Sequence, residues 1–286
     1  MPFSFLNQKI STLHSAALIL GAAGFLSRLL GLLRDRLLAG HFGASRELDI
    51  YYAAFQIPDF IYTLLLLGAG TMAILPLFME ANEKGHQEAE KFINELLTFF
   101  AITAGVCIGI GIAATPFLIS HLFPGFDLLS KMEVSFLTRV MLISPFLLGL
   151  SGIFTSAVQA HHKFLAYAVA GILYNAGIIV GIVFFVPYFG IFGLAYGVIL
   201  GAFLHLLSQF FSYASLGFRV YIVRNFFSVK IKELVLLSGP RVLALSLQQI
   251  AFMVLLGIAS TLSVGSIAIF QFANNLGFLP AGIFGL

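Results

Sequence analysis

Charged residues are scarce in this sequence. Only 9% of its 286 residues are Asp, Glu, Lys or Arg, whereas a typical soluble domain carries about 25%. Tryptophan is absent, and Cys107 is the single cysteine, which excludes a disulfide framework and a cysteine-based metal site. A water-soluble globule of this size has no means of burying the 60% of residues that are hydrophobic. The composition therefore predicts a polytopic membrane protein.

Several motifs that carry chemistry are also missing. The sequence has no Gly-Lys-Ser/Thr P-loop, no paired carboxylates of the Asp-x-x-Asp kind and no His-x-x-x-His pair. ATP hydrolysis, magnesium-dependent chemistry on polyprenyl phosphates and a resident metal are therefore not expected. The basic residues form no dense patch, which argues against a nucleic-acid partner. We expect a protein that is not an enzyme and that has no cofactor.

Long hydrophobic runs dominate what the sequence does contain. Seven are complete and an eighth begins near residue 266, and each complete run reaches the ~20 residues that a helix needs to cross the hydrocarbon layer. Helices are the default in lipid, and the alternation of barrel strands is absent. The fold class is therefore predicted as an all-α polytopic membrane protein of the cell membrane. The complete spans lie at about 15–40, 51–79, 92–123, 134–160, 164–187, 190–216 and 234–262.

Lysine and arginine in the connections set the orientation. Eight lie on the side of the N-terminus and three on the other side, which places the N-terminus in the cytoplasm. The eight are Lys9, Lys84, Lys91, Lys163, Arg219, Arg224, Lys230 and Lys232, and the three are Arg46, Lys131 and Arg139.

The longest basic connection divides the chain. We predict a six-helix lobe over 1–216, a cytoplasmic connection over 217–233, and the start of a second lobe over 234–286, whose last helix is incomplete. The connection mixes basic and large apolar side chains. It either lies in the headgroup layer, attracted by anionic lipid, or is an ordinary inside loop that follows the charge rule.

Charges inside the first span are the most informative feature. Each ionic side chain near the bilayer centre costs roughly 2.5–3.5 kcal/mol on insertion scales, yet Arg28, Arg34 and Asp35 all occur in this span. Arg28 and Asp35 share a helical stripe, and Arg34 lies about 120° from Arg28. It reaches the same cavity only if the helix bends or unwinds, for which Gly31 is a plausible place.

Two interpretations of these charges are open. Guanidinium groups match phosphate oxygens, so two arginines and one carboxylate would form a net positive pocket suited to a diphosphate. Alternatively, Arg34 and Arg36 extend to a headgroup layer while Asp35 pairs with one of them. Elsewhere, Asp59 either pairs with a first-span arginine or caps a helix. Gln248 and Gln249 either contact cargo or join helices, and His205 is more consistent with helix packing than with a proton relay.

The same residues carry a family resemblance. Ser27-Arg-Leu-Leu-Gly-Leu-Leu-Arg-Asp35 resembles the first-helix signature of the MurJ (MviN) lipid II flippases, within the multidrug/oligosaccharidyl-lipid/polysaccharide exporter superfamily. The similarity continues through His41-Phe-Gly-Ala44, Leu48-Asp-Ile-Tyr-Tyr-Ala-Ala-Phe55, Ser238-Gly-Pro240 and Gly277-Phe-Leu-Pro-Ala-Gly282.

The resemblance implies a fold of two six-helix lobes around a central cavity, of which this chain would supply the first lobe and about two helices of the second. It also implies transport of a lipid-linked peptidoglycan precursor from the inner to the outer leaflet of the cell inner membrane. Arg28 and Arg34 would hold the diphosphate, beside Asp35. Asp49 resembles a gating or ion-pairing position, although an aspartate at a helix start is usually a cap.

The chain departs from the family pattern at two places. Tyr62 and Thr63 stand where an arginine pair is expected, and Asn274 and Asn275 replace an Asp-Arg pair. Together with Asp59, the residues Tyr62, Asn274 and Asn275 are candidate cavity-lining positions. The departures favour one alternative, an exporter of another lipid-linked oligosaccharide or an ion-coupled drug exporter of the same superfamily. A non-transporting partner of cell-wall assembly is a further alternative. The expected partners are the lipid-linked precursor, membrane lipids and a coupling cation.

Overall fold

The computed structural model describes residues 13–67 and 70–284 and is predominantly helical, with no strand in these two ranges. The predicted all-α class is confirmed. Two short π-helical turns, Thr63–Leu67 and Gly181–Phe185, interrupt the α-helices. The α-helices are α1 Leu13–Phe42, α2 Arg46–Tyr62, α3 Gly70–Glu83, α4 His86–Leu122, α5 Leu128–Met141, α6 Ile143–Ala160, α7 Phe164–Val180, α8 Val186–Phe189, α9 Phe192–Ala214, α10 Val229–Ala259 and α11 Ser266–Phe284.

Six helical segments of the described part are long and apolar enough to cross a membrane. The predicted second span corresponds to α2, the first π turn and α3, and the predicted eighth span corresponds to α11. The fourth span is predicted to begin at about residue 134, whereas helix α5 already begins at Leu128. The division into two lobes remains a prediction. The six segments are Ala17–Phe42, His86–Leu122, Leu128–Ala160, Phe164–Phe189, Phe192–Ala214 and Val229–Ala259.

Glycines determine how closely α7 and α9 pack. A Cβ atom on Gly177 would overlap the backbone of Gly201, and a Cβ on Gly197 would lie 2.7 Å from the Cα of Gly181. Helices in lipid associate through van der Waals contact and small residues, since apolar burial from water does not drive them together. The two helices therefore meet backbone to backbone, and α1 packs on the other side of α7, where Asn175 Nδ2 donates to Ser27 Oγ at 3.2 Å.

The first helix does not unwind at Gly31, the place where the sequence would allow a break. Helix α1 is continuous from Leu13 to Phe42, and only the side chain of Asn175 comes near the position of a Cβ on Gly31, at 3.9 Å. The glycine thus makes room for the neighbouring helix, and it does not break the hydrogen-bond ladder. This result fixes the angle between Arg28 and Arg34 at its helical value.

The basic connection is an extended segment that docks on α4. Asn94 Oδ1 accepts from Tyr221 N at 2.7 Å, and Asn94 Nδ2 donates to Arg219 O at 2.9 Å, so the amide side chain imitates the edge of a β-strand. One turn further along α4, Thr98 Oγ1 accepts from Val223 N at 3.1 Å. The segment is therefore held by specific hydrogen bonds, and the helix that follows it begins earlier than predicted, at Val229.

Contacts at both ends reinforce this docking. Phe218 is buried and stacks on His86, with ring centroids 4.2 Å apart. At the start of α10, Lys230 Nζ lies 3.6 Å from Glu80 Oε1. The hydrogen bond from Lys84 and the charge of Lys230 lower the pKa of the Glu80 carboxyl. The connection is thus attached to α3 as well as to α4.

Replacement of Asn94 by alanine is expected to release this segment. The change removes two hydrogen bonds to extended backbone, and each is worth roughly 0.5–1.5 kcal/mol. We expect trypsin in detergent to cleave the bond between Arg219 and Val220 about 5- to 150-fold faster, because the loss of about 1–3 kcal/mol changes the population of the released segment by this factor. Glu233→Gln is the control. Glu233 is exposed, and its replacement leaves the Asn94 contacts in place, so we expect cleavage after Arg219 to be unchanged.

Candidate ligand chamber and gate

A chamber of about 640 Å³ lies between helices of the first six spans and helices α10 and α11. Along α2 and into the π turn that follows it, the lining runs from Tyr51 to Thr63, which at 1.5 Å per residue is a length of roughly 18 Å. The volume falls within the range of small-molecule sites, about 300–1,000 Å³. The lining residues are Arg34, Leu38, Tyr51, Tyr52, Phe55, Gln56, Asp59, Thr63, Tyr174, Leu245, Gln248, Gln249, Ala251, Phe252, Leu255, Gln271, Asn274, Asn275 and Phe278.

Arg34 is held at the chamber wall by a hydrogen-bonded triad. Its Nε and Nη2 donate to Asp35 Oδ1 at 3.0 and 2.8 Å, and Asn275 Nδ2 donates to Asp35 Oδ2 at 2.9 Å. The carboxylate thus joins α1 to α11 and fixes the guanidinium through two of its donors. The guanidinium N–H groups of Arg34 that do not bind Asp35 can donate to a ligand in the chamber.

Arg28 lies elsewhere on α1. It is not among the chamber-lining residues of the described chain, as expected for a straight helix on which it is rotated away from Arg34. Its Nη1 atom is buried and has no hydrogen-bond partner among the described residues. The expected net positive pocket is therefore not found in the described lining, whose charged members are Arg34 and Asp59.

The other sequence candidates are distributed as follows. Asn274, Asn275 and Asp59 line the chamber, whereas Tyr62 does not occur among the lining residues that the structure describes. Tyr62 packs beside a second apolar cluster, formed around α3, α4 and α6. Gln248 and Gln249, for which cargo contact and helix joining were both open, line the chamber.

Asp49 lies outside the chamber, at one end of the molecule. Its carboxylate is buried, with 2% of the residue exposed, and accepts from Gly265 N at 2.7 Å and Ala268 N at 2.9 Å. These are free amides at the start of α11, which a carboxylate stabilises through hydrogen bonds and the helix dipole. Asp49 therefore fastens the start of α2 to the start of α11. Its gating role remains a prediction, and we name this contact the gate.

Three glycines lie at close backbone contacts beside this gate. A Cβ atom on Gly125 would overlap the carbonyl oxygen of Ser260, one on Gly257 would overlap that of Leu122, and one on Gly265 would overlap that of Ala44. Gly265 also has a φ of +88°, which favours glycine. The C-terminal ends of α1, α4 and α10 and the loops that follow them thus meet at backbone distance at one end of the molecule. On the predicted orientation this is the outer end.

Replacement of Asp49 by asparagine is expected to loosen the gate. The amide keeps the shape but loses the charge and one acceptor, and hydrogen bonds to charged groups are worth about 1.5–3 kcal/mol. We expect a lower melting temperature in detergent and faster amide hydrogen exchange at Gly265 and Ala268. Glu83→Gln, which alters an exposed carboxylate, should change neither. An unchanged exchange rate in Asp49→Asn would show that these bonds do not hold the gate.

Several chamber residues were not identified from the sequence. Tyr51, Tyr52, Gln56, Tyr174 and Gln271 all line the wall. A signal for part of this set was available, because Tyr52, Gln56, Asp59 and Thr63 recur at intervals of four, three and four residues, which places them on one helical face. His205, by contrast, pairs with Ser151 Oγ at 2.7 Å and joins α9 to α6, which agrees with a packing role.

Comparison with known proteins identifies relatives of this arrangement. The family model described as lipid II flippase MurJ matches residues 38–286. A probable lipid II flippase MurJ from Borreliella burgdorferi is 31% identical over 91% of this chain and 51% of its own length. The lipid II flippase MurJ of Burkholderia cenocepacia is 26% identical over 94% of this chain and 54% of its own. The chain thus spans about half the length of the curated relatives it matches.

Solved structures agree with this relationship. A lipid II flippase MurJ in an inward closed conformation superposes with a TM-score of 0.76 at 28% identity, covering 94% of this chain and 56% of that one. A transporter of the MOP superfamily from Pyrococcus furiosus, at 17% identity, gives a TM-score of 0.71 over 98% of this chain and 63% of that one. The second likeness concerns the fold alone.

Proposed function

Because the chain belongs to the lipid II flippase MurJ family, we propose that it acts in a multi-pass transporter of the cell inner membrane, and not as an enzyme. Its cargo is a polyprenyl-diphosphate-linked peptidoglycan precursor, lipid II, which moves from the inner to the outer leaflet. The observation that carries this proposal is the chamber, in whose wall Asp35 and Asn275 orient the Arg34 guanidinium.

In this proposal the chamber wall binds the diphosphate and the gate controls access from the outer side. Arg34 presents N–H donors that match phosphate oxygens, and Asp35 limits its movement, so the diphosphate is met by a preoriented group. The gate of Asp49 and the three glycines keeps the outer end shut while the headgroup enters from the other side. Opening of that gate and closure of the opposite end then completes an alternating-access cycle.

Arg28 is the second arginine of the proposal. Its buried Nη1 atom lacks a hydrogen-bond partner among the described residues, and a buried, unsatisfied donor is costly. A rotation of α1, or a shift of the cargo past it, would bring this donor to a phosphate oxygen. We assign Arg28 to a stage of the cycle other than the one in which Arg34 lines the chamber.

The partners of the proposal are the lipid-linked precursor, membrane lipids and a coupling cation, and no nucleic acid. The alternatives within the superfamily are another lipid-linked oligosaccharide or a drug. The likeness to multidrug transporters is below 25% identity and concerns the fold alone, so it does not favour the drug alternative.

The experiment for this proposal is translocation of fluorescent lipid II in reconstituted vesicles. We expect the protein to move labelled lipid II to the opposite leaflet faster than protein-free vesicles do. Excess unlabelled lipid II should suppress the movement, and a polyprenyl-diphosphate oligosaccharide without a peptide should suppress it less. Movement no faster than in protein-free vesicles would contradict the proposal, and equal suppression by the two lipids would favour the oligosaccharide alternative.

A further inference from the structure

Helix α2 presents a line of oxygen-bearing side chains to the chamber. Tyr52, Gln56, Asp59 and Thr63 all belong to its lining and follow the spacing of a single helical face. The carboxylate of Asp59 is exposed to this space, and it forms no ion pair within 4 Å with any residue that the structure describes. The Asp59 carboxylate therefore lies among neutral side-chain oxygen atoms in a membrane-spanning region.

Three of the neutral oxygens in this lining have unmet hydrogen-bonding capacity. Gln56 Nε2 donates to Tyr52 O at 3.1 Å, which leaves Gln56 Oε1 buried and without a partner among the described residues. The hydroxyl oxygen of Tyr52 and the Oε1 atom of Gln271 are also buried and without a partner among the described residues. Gln271 lies on α11, on another wall of the chamber. Tyr52 and Gln56 are more than nine-tenths buried, at 6% and 3% exposure. Buried acceptors of this kind normally have a partner.

The charges of the wall favour a positive partner. Arg34 and Asp35 neutralise each other through their hydrogen-bonded contact. Among the described lining residues, Asp59 then remains as a carboxylate without an ion-pair partner within 4 Å. An ionised carboxylate inside a membrane protein is costly unless it meets a cation or water, and neutral oxygens beside it are the additional ligands that a hard cation prefers.

We propose that Asp59, with Gln56 and the neighbouring oxygens of α2, binds a monovalent cationic group, either a free alkali ion or a primary ammonium. A divalent metal does not fit, since the described residues contain no group of three acidic, histidine or cysteine ligands. The alkali-ion form stands independently of the cargo. The ammonium form rests on the proposed function, because the amine would belong to the peptide of the transported precursor.

The test is equilibrium binding of ²²Na⁺ and of ¹⁴C-methylammonium to the purified protein, with ionic strength held constant by choline chloride. We expect saturable binding of at least one probe, with an affinity that falls at least ten-fold in Asp59→Asn. Glu83→Gln makes the matching change at an exposed carboxylate outside both the chamber and the gate, and it should bind as the unaltered protein does. Binding of ²²Na⁺ alone assigns the site to a free ion, binding of methylammonium alone assigns it to an amine of the cargo, and mutual displacement of the two indicates one shared site.

Two further variants keep the test decisive if Asp59→Asn does not fold. Asp59→Glu retains the charge and should retain binding, whereas Gln56→Met removes a neutral oxygen and should lower the affinity several-fold. The inference is overturned if neither probe binds saturably, or if a folded Asp59→Asn or Gln56→Met variant binds like the unaltered protein. Loss of the cation site with intact, Arg34-dependent diphosphate binding would refute this inference alone, and the converse result would refute the proposed function alone.

Discussion

Replacement of Arg34 by alanine is expected to weaken binding of a lipid diphosphate by about 10- to 100-fold. The guanidinium is only partly exposed at the chamber wall, at 24% for its side chain, and is oriented by Asp35. A charge-assisted hydrogen bond contributes roughly 1.5–3 kcal/mol, and each 1.4 kcal/mol corresponds to a factor of ten in affinity. The loss is measured by titrating the reconstituted protein with farnesyl diphosphate and comparing farnesol, which lacks the phosphates.

Arg36→Ala is the matched control for this prediction. Arg36 lies two residues further along the same helix, is exposed and does not occur in the described lining of the chamber. Its replacement should change the diphosphate affinity less than two-fold. Arg34→Lys should recover only part of the affinity, because an ammonium lacks the planar fork that matches two phosphate oxygens. Equal losses in Arg34→Ala and Arg36→Ala would indicate a general charge effect and not a specific contact.

The variant Gly125→Ala is expected to shift the molecule away from the state with the closed outer gate. A Cβ atom at this position overlaps the carbonyl oxygen of Ser260, and a backbone atom cannot move aside as a flexible side chain can. Overpacking typically costs about 1–3 kcal/mol, which changes the ratio of two conformations by a factor of about 5–150. We measure it with a cysteine at Ala268, a fully buried gate position, in a Cys107→Ala background, whose thiol should react faster when Gly125→Ala is added.

Gly40→Ala tests whether any added methyl group has this effect. Gly40 lies in the last turn of α1, near the same end, and a Cβ atom there meets nothing within 4 Å. Thiol reactivity at position 268 should therefore match that of the parent. If Gly125→Ala leaves the reactivity unchanged while the protein remains folded, the close contact between the two loops does not control access.

Local features of the sequence predicted most of the fold. Long apolar runs give helices in lipid because the backbone must satisfy its own hydrogen bonds, and charge placement marked the first span as unusual. Arg34, Asp59, Asn274 and Asn275, which were selected for their charge or polarity, all line the chamber. Their roles in binding remain proposals.

Features that depend on distant parts of the chain were not predictable in this way. The partners of Asp49 lie more than 200 residues away, at Gly265 and Ala268, so sequence spacing contains no information on the gate. The docking of the basic connection depends on Asn94, one of several polar residues near the start of α4, which bonds to backbone atoms more than 100 residues away. Asn94 has no motif around it that would have indicated this role.

Photo-crosslinking of lipid II tests most directly the central claim that the cargo occupies the chamber. A benzophenone amino acid replaces one of two phenylalanines of similar exposure: Phe278, which lines the chamber and is 61% exposed, or Phe117 on α4, which is 65% exposed and is not found in the described lining. We expect a crosslink to lipid II at position 278 that excess unlabelled lipid II abolishes, and no such competed crosslink at position 117. A competed crosslink at 117 with none at 278 would contradict the account.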